Sequence, residues 1–118
     1  MIGEPFVYRA AIERVVRADW IDVRVDLGFR VSEELSVFLV GVSVPPDGVL
    51  AAKAKGFVER WAAERLDPTS KWPVLVRTIE AGPRSGWSAE VWAVGAEVTL
   101  NSGLLDLGLV EPARDGWV

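Results

Sequence analysis

The chain has 118 residues, half of them apolar and a quarter charged, which suits one globular domain with one core and excludes both a two-core protein and a disordered chain. It contains no cysteine and no histidine, so disulfides, thiolate or imidazole metal sites, cysteine nucleophiles and the commonest general base are excluded, and a metal here would be held by oxygen. With 17 Asp and Glu against 13 Lys and Arg the formal charge is −4, which opposes the long-range attraction to phosphate on which nonspecific nucleic-acid binding depends.

The N-terminus, Met1 to Pro5, lacks a basic segment followed by an apolar one. The longest nearly apolar stretch, Val37 to Pro46, is about ten residues, whereas a membrane-spanning helix needs about 20. The expected setting is therefore the cytoplasm, with no membrane partner. Phe6 to Val16 reads as a long, bent first strand in which Val7, Ala11 and Val15 alternate loosely with Tyr8, Arg9, Ile12 and Arg14. Ile21, Val23, Val25 and Leu27 alternate with Asp22, Arg24 and Asp26, which predicts a half-buried second strand with its aliphatics on one face. Gly28 punctuates it, and Glu34 to Val42 reads as a third strand, almost continuously apolar.

Pro45-Pro46-Asp47-Gly48 breaks the pattern, and beyond it Leu50, Ala54, Phe57, Val58, Trp61, Ala62 and Leu66 recur at three- and four-residue spacing, which predicts an amphipathic helix ended by Asp67-Pro68. Gly56 in mid-helix points to close packing there, because Gly is about 1 kcal/mol worse than Ala in a helix. Lys53, Lys55, Arg60 and Arg65, interleaved with Glu59 and Glu64, read as a solvated helix face rather than a phosphate-binding stripe. Pro73 to Glu80 and Trp87 to Val94 read as a fourth and a fifth strand, joined as a hairpin by a turn from Gly82-Pro83 to Gly86. Asn101 is the expected cap of a short helix containing Leu104, Leu105 and Leu107, with Gly108 at its C′ position.

Three strands, a helix, two strands and a short helix is the order of a five-stranded Greek-key barrel. The expected class is thus α+β, mainly β, with a single OB-fold domain over residues 1–118. Among the six tryptophans, Trp61 and Trp92 fall in patterned elements and read as core. Trp20, Trp72, Trp87 and Trp117 are the ones available for an exposed surface, including the base-stacking platforms that OB-folds use.

Short segments in the same order resemble the staphylococcal nuclease family, especially its short homologues from actinobacteria and their phages. They are Tyr8-Arg9-Ala10, Val23 to Phe29, Gly41-Val42, Ala52 to Lys55 with Phe57-Val58, Val74 to Thr78, Trp87 to Val91, and the tail from Leu100-Asn101 to Pro112. The resemblance covers Tyr8 to Pro112 and implies calcium-dependent phosphodiester cleavage. That chemistry uses carboxylates on the metal, two Arg on the phosphate and a Glu that handles water.

This chain departs from the motif at most of those positions. The resemblance implies that Arg17 replaces the first metal acid and that Asp19 remains as a relic ligand. It places Phe38 at the first catalytic Arg, Ser43 at the second metal Asp, Pro46 at the Glu and Gly86 at the second Arg. With one residue inserted before the Pro pair Asp47 would reach the Glu position, and Arg84 stands near the missing clamp. Asp19 by itself reads as an acceptor in a turn as well as a relic ligand. Each lost electrostatic stabiliser costs roughly 10²–10³ in rate.

The expected protein is therefore a pseudo-nuclease with no catalytic residues, no cofactor and no calcium. It would serve as a binding or assembly module for a protein partner, in a host cytoplasm or a virion if phage-encoded, through a surface that includes Trp20, Phe38 and Trp87. The alternatives are a weak calcium-dependent nuclease and a non-cleaving nucleic-acid-binding OB domain.

Overall fold

Alternating aliphatic residues build the wall of a closed barrel. The computed structural model describes residues 7–46, 48–66, 69–81 and 86–113. Five strands close the barrel: β1 (Val7–Arg17), β2 (Trp20–Gly28), β3 (Val31–Leu39), β5 (Val74–Ala81) and β6 (Trp87–Ala93). Their order is β1-β2-β3-β6-β5, with β5 pairing back onto β1. Neighbours are antiparallel except β3 and β6, which run parallel. Helix α1 (Gly48–Glu64) makes the connection that the parallel pair requires, and α2 (Leu100–Asp106) follows β6. This is the mainly β, OB-like barrel with two helices that the element order predicts.

The interior is lined by the period-two sets Ile21, Val23 and Val25 of β2, Val37 and Leu39 of β3, Val74 and Val76 of β5, and Ala89 and Val91 of β6. Ala54 and Val58 of α1 and Leu100 and Leu104 of α2 complete the same core. Each fully buried Val, Leu or Ile contributes about 1.5–3 kcal/mol. Small Ala10 and Ala89 leave room for the branched residues on facing strands. Among the described residues no helix is long and apolar enough to cross a membrane.

Several local expectations are corrected. The third strand begins at Val31 and stops at Leu39, because Gly41 takes a positive φ of 84° and turns the chain. Val42 and Ser43 then form a separate strand, β4, paired with Pro112 and Glu111 of β7. Leu27, Leu50 and Leu66 are exposed, and Asp22 on the polar face of β2 is buried instead. A side chain at Gly56 would meet only Arg60 Nη1, at 3.9 Å, so close packing does not account for that glycine. Trp61 packs against the core and carries the Arg65 guanidinium 4.7 Å from its ring. Trp92 pairs with Leu75 and alternates with buried Val91, which leaves it half-buried on the other face of the sheet.

The cap of α2 is Thr99, whose Oγ1 accepts from Ser102 N at 3.0 Å, and not Asn101. Gly108, with φ of 70°, does end the helix. Asn101 turns inward and ties α2 to the barrel. Its Oδ1 accepts from Val91 N at 3.1 Å, and its Nδ2 donates to Val40 O at 2.9 Å and Ala89 O at 3.1 Å. The Asp67-Pro68 stop, the Gly82 to Ser85 turn and Trp117 lie outside the described residues.

Candidate functional site

Trp20 opens β2 and stands opposite Phe38 of β3, so both project from the face of the sheet that also carries Asp22 and Ser36, away from Ile21 and Val37. Their ring centroids are 5.2 Å apart at a 32° tilt. Phe38 is only 9% exposed although it points away from the barrel interior. On its other side β6 supplies Ser88, in register with Phe38 and fully buried, and just before it Gly86.

Gly86 is there because nothing larger fits. A Cβ on it would fall 2.6 Å from Ser36 O, 2.7 Å from Phe38 Cε2 and 3.1 Å from Ser36 Cβ. Ser36 has little freedom to retreat, since its hydroxyl donates to Asp22 Oδ1 at 3.0 Å and its strand is paired with β2. Asp22 in turn accepts from Arg14 Nε and Nη2, at 3.1 and 2.6 Å, through its Oδ2. A buried carboxylate is thereby neutralised and saturated with donors beside the aromatic pair.

Asp19 lies in the turn between β1 and β2. Its main-chain oxygen accepts from Leu39 N at 2.8 Å, which fixes the turn against the end of β3. Its side chain is engaged on both oxygens by one guanidinium, with Arg17 Nε on Oδ1 at 3.0 Å and Nη2 on Oδ2 at 2.9 Å. The hydrogen bond to Asp19 holds the Arg17 pKa above its ordinary value, against the opposing effect of partial burial. Arg17 thus occupies both carboxylate oxygens of Asp19.

A calcium ion needs six to eight oxygen ligands with carboxylates among them. Asp19 is neutralised, Ser43 is exposed on the two-residue strand opposite Glu111, and Pro46 is exposed without a donor or a charge. These residues do not fit calcium. Among the described residues no group of three or more Asp and Glu side chains could hold a metal.

Trp20, Phe38 and Gly86 are therefore brought together, with Asp19 and Arg17 at the neighbouring turn, while Ser43 and Pro46 follow on a separate strand and loop. Trp87 is 38% exposed but in register with Val37, so it projects from the face opposite Phe38. Of the three aromatics expected on one surface, only Trp87 is exposed; Phe38 is buried and Trp20 half-buried. Asp47 and Arg84, the two conceivable replacements, are outside the described residues.

The sequence pattern missed the turn between β2 and β3, where Phe29 and Arg30 both have positive φ, 54° and 65°, and Phe29 is 99% exposed. The available signal was Gly28 at the end of a clean alternation, which marks a turn without indicating what it displays. No protein-family model matches the chain, and no curated protein matches it.

Proposed function

We propose that the chain is a non-cleaving relative of the staphylococcal nucleases, an OB-like barrel that works as a binding or assembly module for a protein partner. The observation that carries this reading is the packing of Phe38 onto Gly86 and Trp20. Where the family would hold two guanidinium groups around a phosphate, this chain has an aromatic ring filling the space above a glycine that admits no side chain. Phosphoryl transfer needs charge that neutralises the developing anion, and an apolar wall supplies none. The carboxylate expected on the metal is held by Arg17.

The net charge of −4 favours a protein over a polyanion as partner. Purified protein incubated with single- and double-stranded DNA and RNA, with and without calcium, should leave every substrate intact over hours. Calcium-dependent cutting that disappears in Asp19→Ala would overturn the reading.

A further inference from the structure

A groove of about 500 Å³ lies on the polar face of the barrel at its β2–β3 end. It is lined by Arg9, Asp26 and Ser32, by the turn Phe29-Arg30-Val31, and by Lys71-Trp72. Gly28 and Val31 are paired, so the connection between the strands is two residues long, and both of those residues have positive φ. Such a turn favours Asn-Gly, because bulky side chains are strained in the left-handed region. Here it carries Phe and Arg. The turn displays Phe29 99% exposed, with Leu27 (44%) and Val31 (53%) next to it in the chain.

The charge at this groove runs against that of the chain. Arg9, Arg30 and Lys71 face one carboxylate, Asp26, which Arg9 already pairs. Among the described residues neither Arg30 nor Lys71 forms an ion pair, and the Lys71 ammonium lies 5.4 Å from the centroid of the Trp72 ring. Aromatic and arginine side chains around a concave surface are the composition of binding hot spots.

We infer that this groove takes an acidic peptide segment of a partner protein, with carboxylates on Arg30 and Lys71 and an apolar side chain between Phe29 and Trp72. The inference rests on reading the chain as a protein-binding module and names the surface and the partner's chemistry. A long polyanion fits less well, because its reach exposes it to the negative body of the domain. A bilayer fits less well because the net charge of −4 repels anionic headgroups, and Asp26 stands among the lining residues.

The test is selection from a displayed library of twelve-residue random peptides on the folded protein, followed by anisotropy measurements with the enriched peptides, a ten-residue oligothymidylate and vesicles of phosphatidylcholine with phosphatidylserine. The expected result is enrichment of Asp or Glu next to Phe, Trp or Leu, with saturable, salt-weakened binding tighter than about 100 μM.

Arg30→Glu with Lys71→Glu should weaken binding at least about tenfold, while Lys53→Glu on α1 should leave it unchanged. Phe29→Asn with Arg30→Gly restores the favoured turn, so it should abolish binding while raising Tm, which separates loss of the site from loss of the fold. Failure to enrich acidic peptides, binding indifferent to these substitutions, or tighter binding of the oligonucleotide or vesicles at this groove would overturn the inference. Those results are independent of the cleavage assay, which alone decides whether the domain is a nuclease.

Discussion

Gly86→Ala adds one methyl group and should be felt by the whole domain. The new Cβ would lie 2.6 Å from Ser36 O and 2.7 Å from Phe38 Cε2, both well inside van der Waals contact. The phenyl ring can tilt, but Ser36 O belongs to a strand paired with β2, and the Ser36 hydroxyl is bonded to buried Asp22. Overpacking of this kind costs about 1–3 kcal/mol. At roughly 4 °C per kcal/mol for a domain near this size, Tm should fall by about 4–12 °C.

Thermal and urea unfolding, followed by tryptophan fluorescence and circular dichroism, would measure it. A double-mutant cycle with Phe38→Ala sharpens the test. Removing the ring takes away one of the two close contacts and leaves the carbonyl, so the Gly86→Ala penalty should shrink by about 0.5–1 kcal/mol in that background without vanishing. A Tm unchanged within a degree, or an equal penalty in both backgrounds, would refute the packing of Phe38 over Gly86.

Asn101→Leu should cost about 2–4 kcal/mol in urea unfolding, because it deletes three hydrogen bonds and strands Val91 N and Val40 O, while Ala89 O keeps its bond from Val40 N. Phe29→Asn with Arg30→Gly should raise stability by about 1–2 kcal/mol, by relieving two bulky residues at positive φ; an unchanged or lowered Tm would contradict the strain at that turn. Asp26 accepts from Gly28 N at 2.9 Å and also from Arg9, and these bonds hold its pKa below the ordinary 3.8. Its contribution to stability is therefore full above about pH 4 and lost as pH falls through the depressed value. Replacing it by Asn should flatten the acid limb of stability below about pH 4, and a limb of unchanged slope would show that the carboxylate is not held in this way.

Much of the barrel can be read from local pattern. The run Ile21-Val23-Val25 against Asp22-Arg24-Asp26 determines both strand and face, and the aliphatic positions of Val74-Val76 and Ala89-Val91 do the same for the hairpin. The readings failed where a long-range contact decides. Thr99 and Asn101 are both good capping residues, and only the approach of Val40 and Ala89 draws the Asn side chain inward. Val42-Ser43 and Glu111-Pro112 are too short to show a period and exist because the chain ends of two turns meet.

The candidate site was half legible. That Phe38 and Gly86 carry no charge is plain from the residue types. That the ring of one occupies the space denied to the other is a relation between strands far apart in sequence. Likewise Arg17 reads as a missing acid, whereas its fork on Asp19 depends on the bend of the β1–β2 turn. Phe29 gave no signal because Phe-Arg is the opposite of what a tight hairpin turn normally demands.

The most direct test of the central claim is a calcium titration of the isotope-labelled protein followed by backbone amide NMR. With Asp19 held by Arg17 and no group of three metal-holding acids among the described residues, the amides of Asp19, Leu39 and Ser43 should stay where they are up to about 10 mM calcium, ten times the concentration that fills the weakest ordinary protein sites. Saturable shifts at these three residues below that concentration, accompanied by release of the Arg17 side chain, would contradict it.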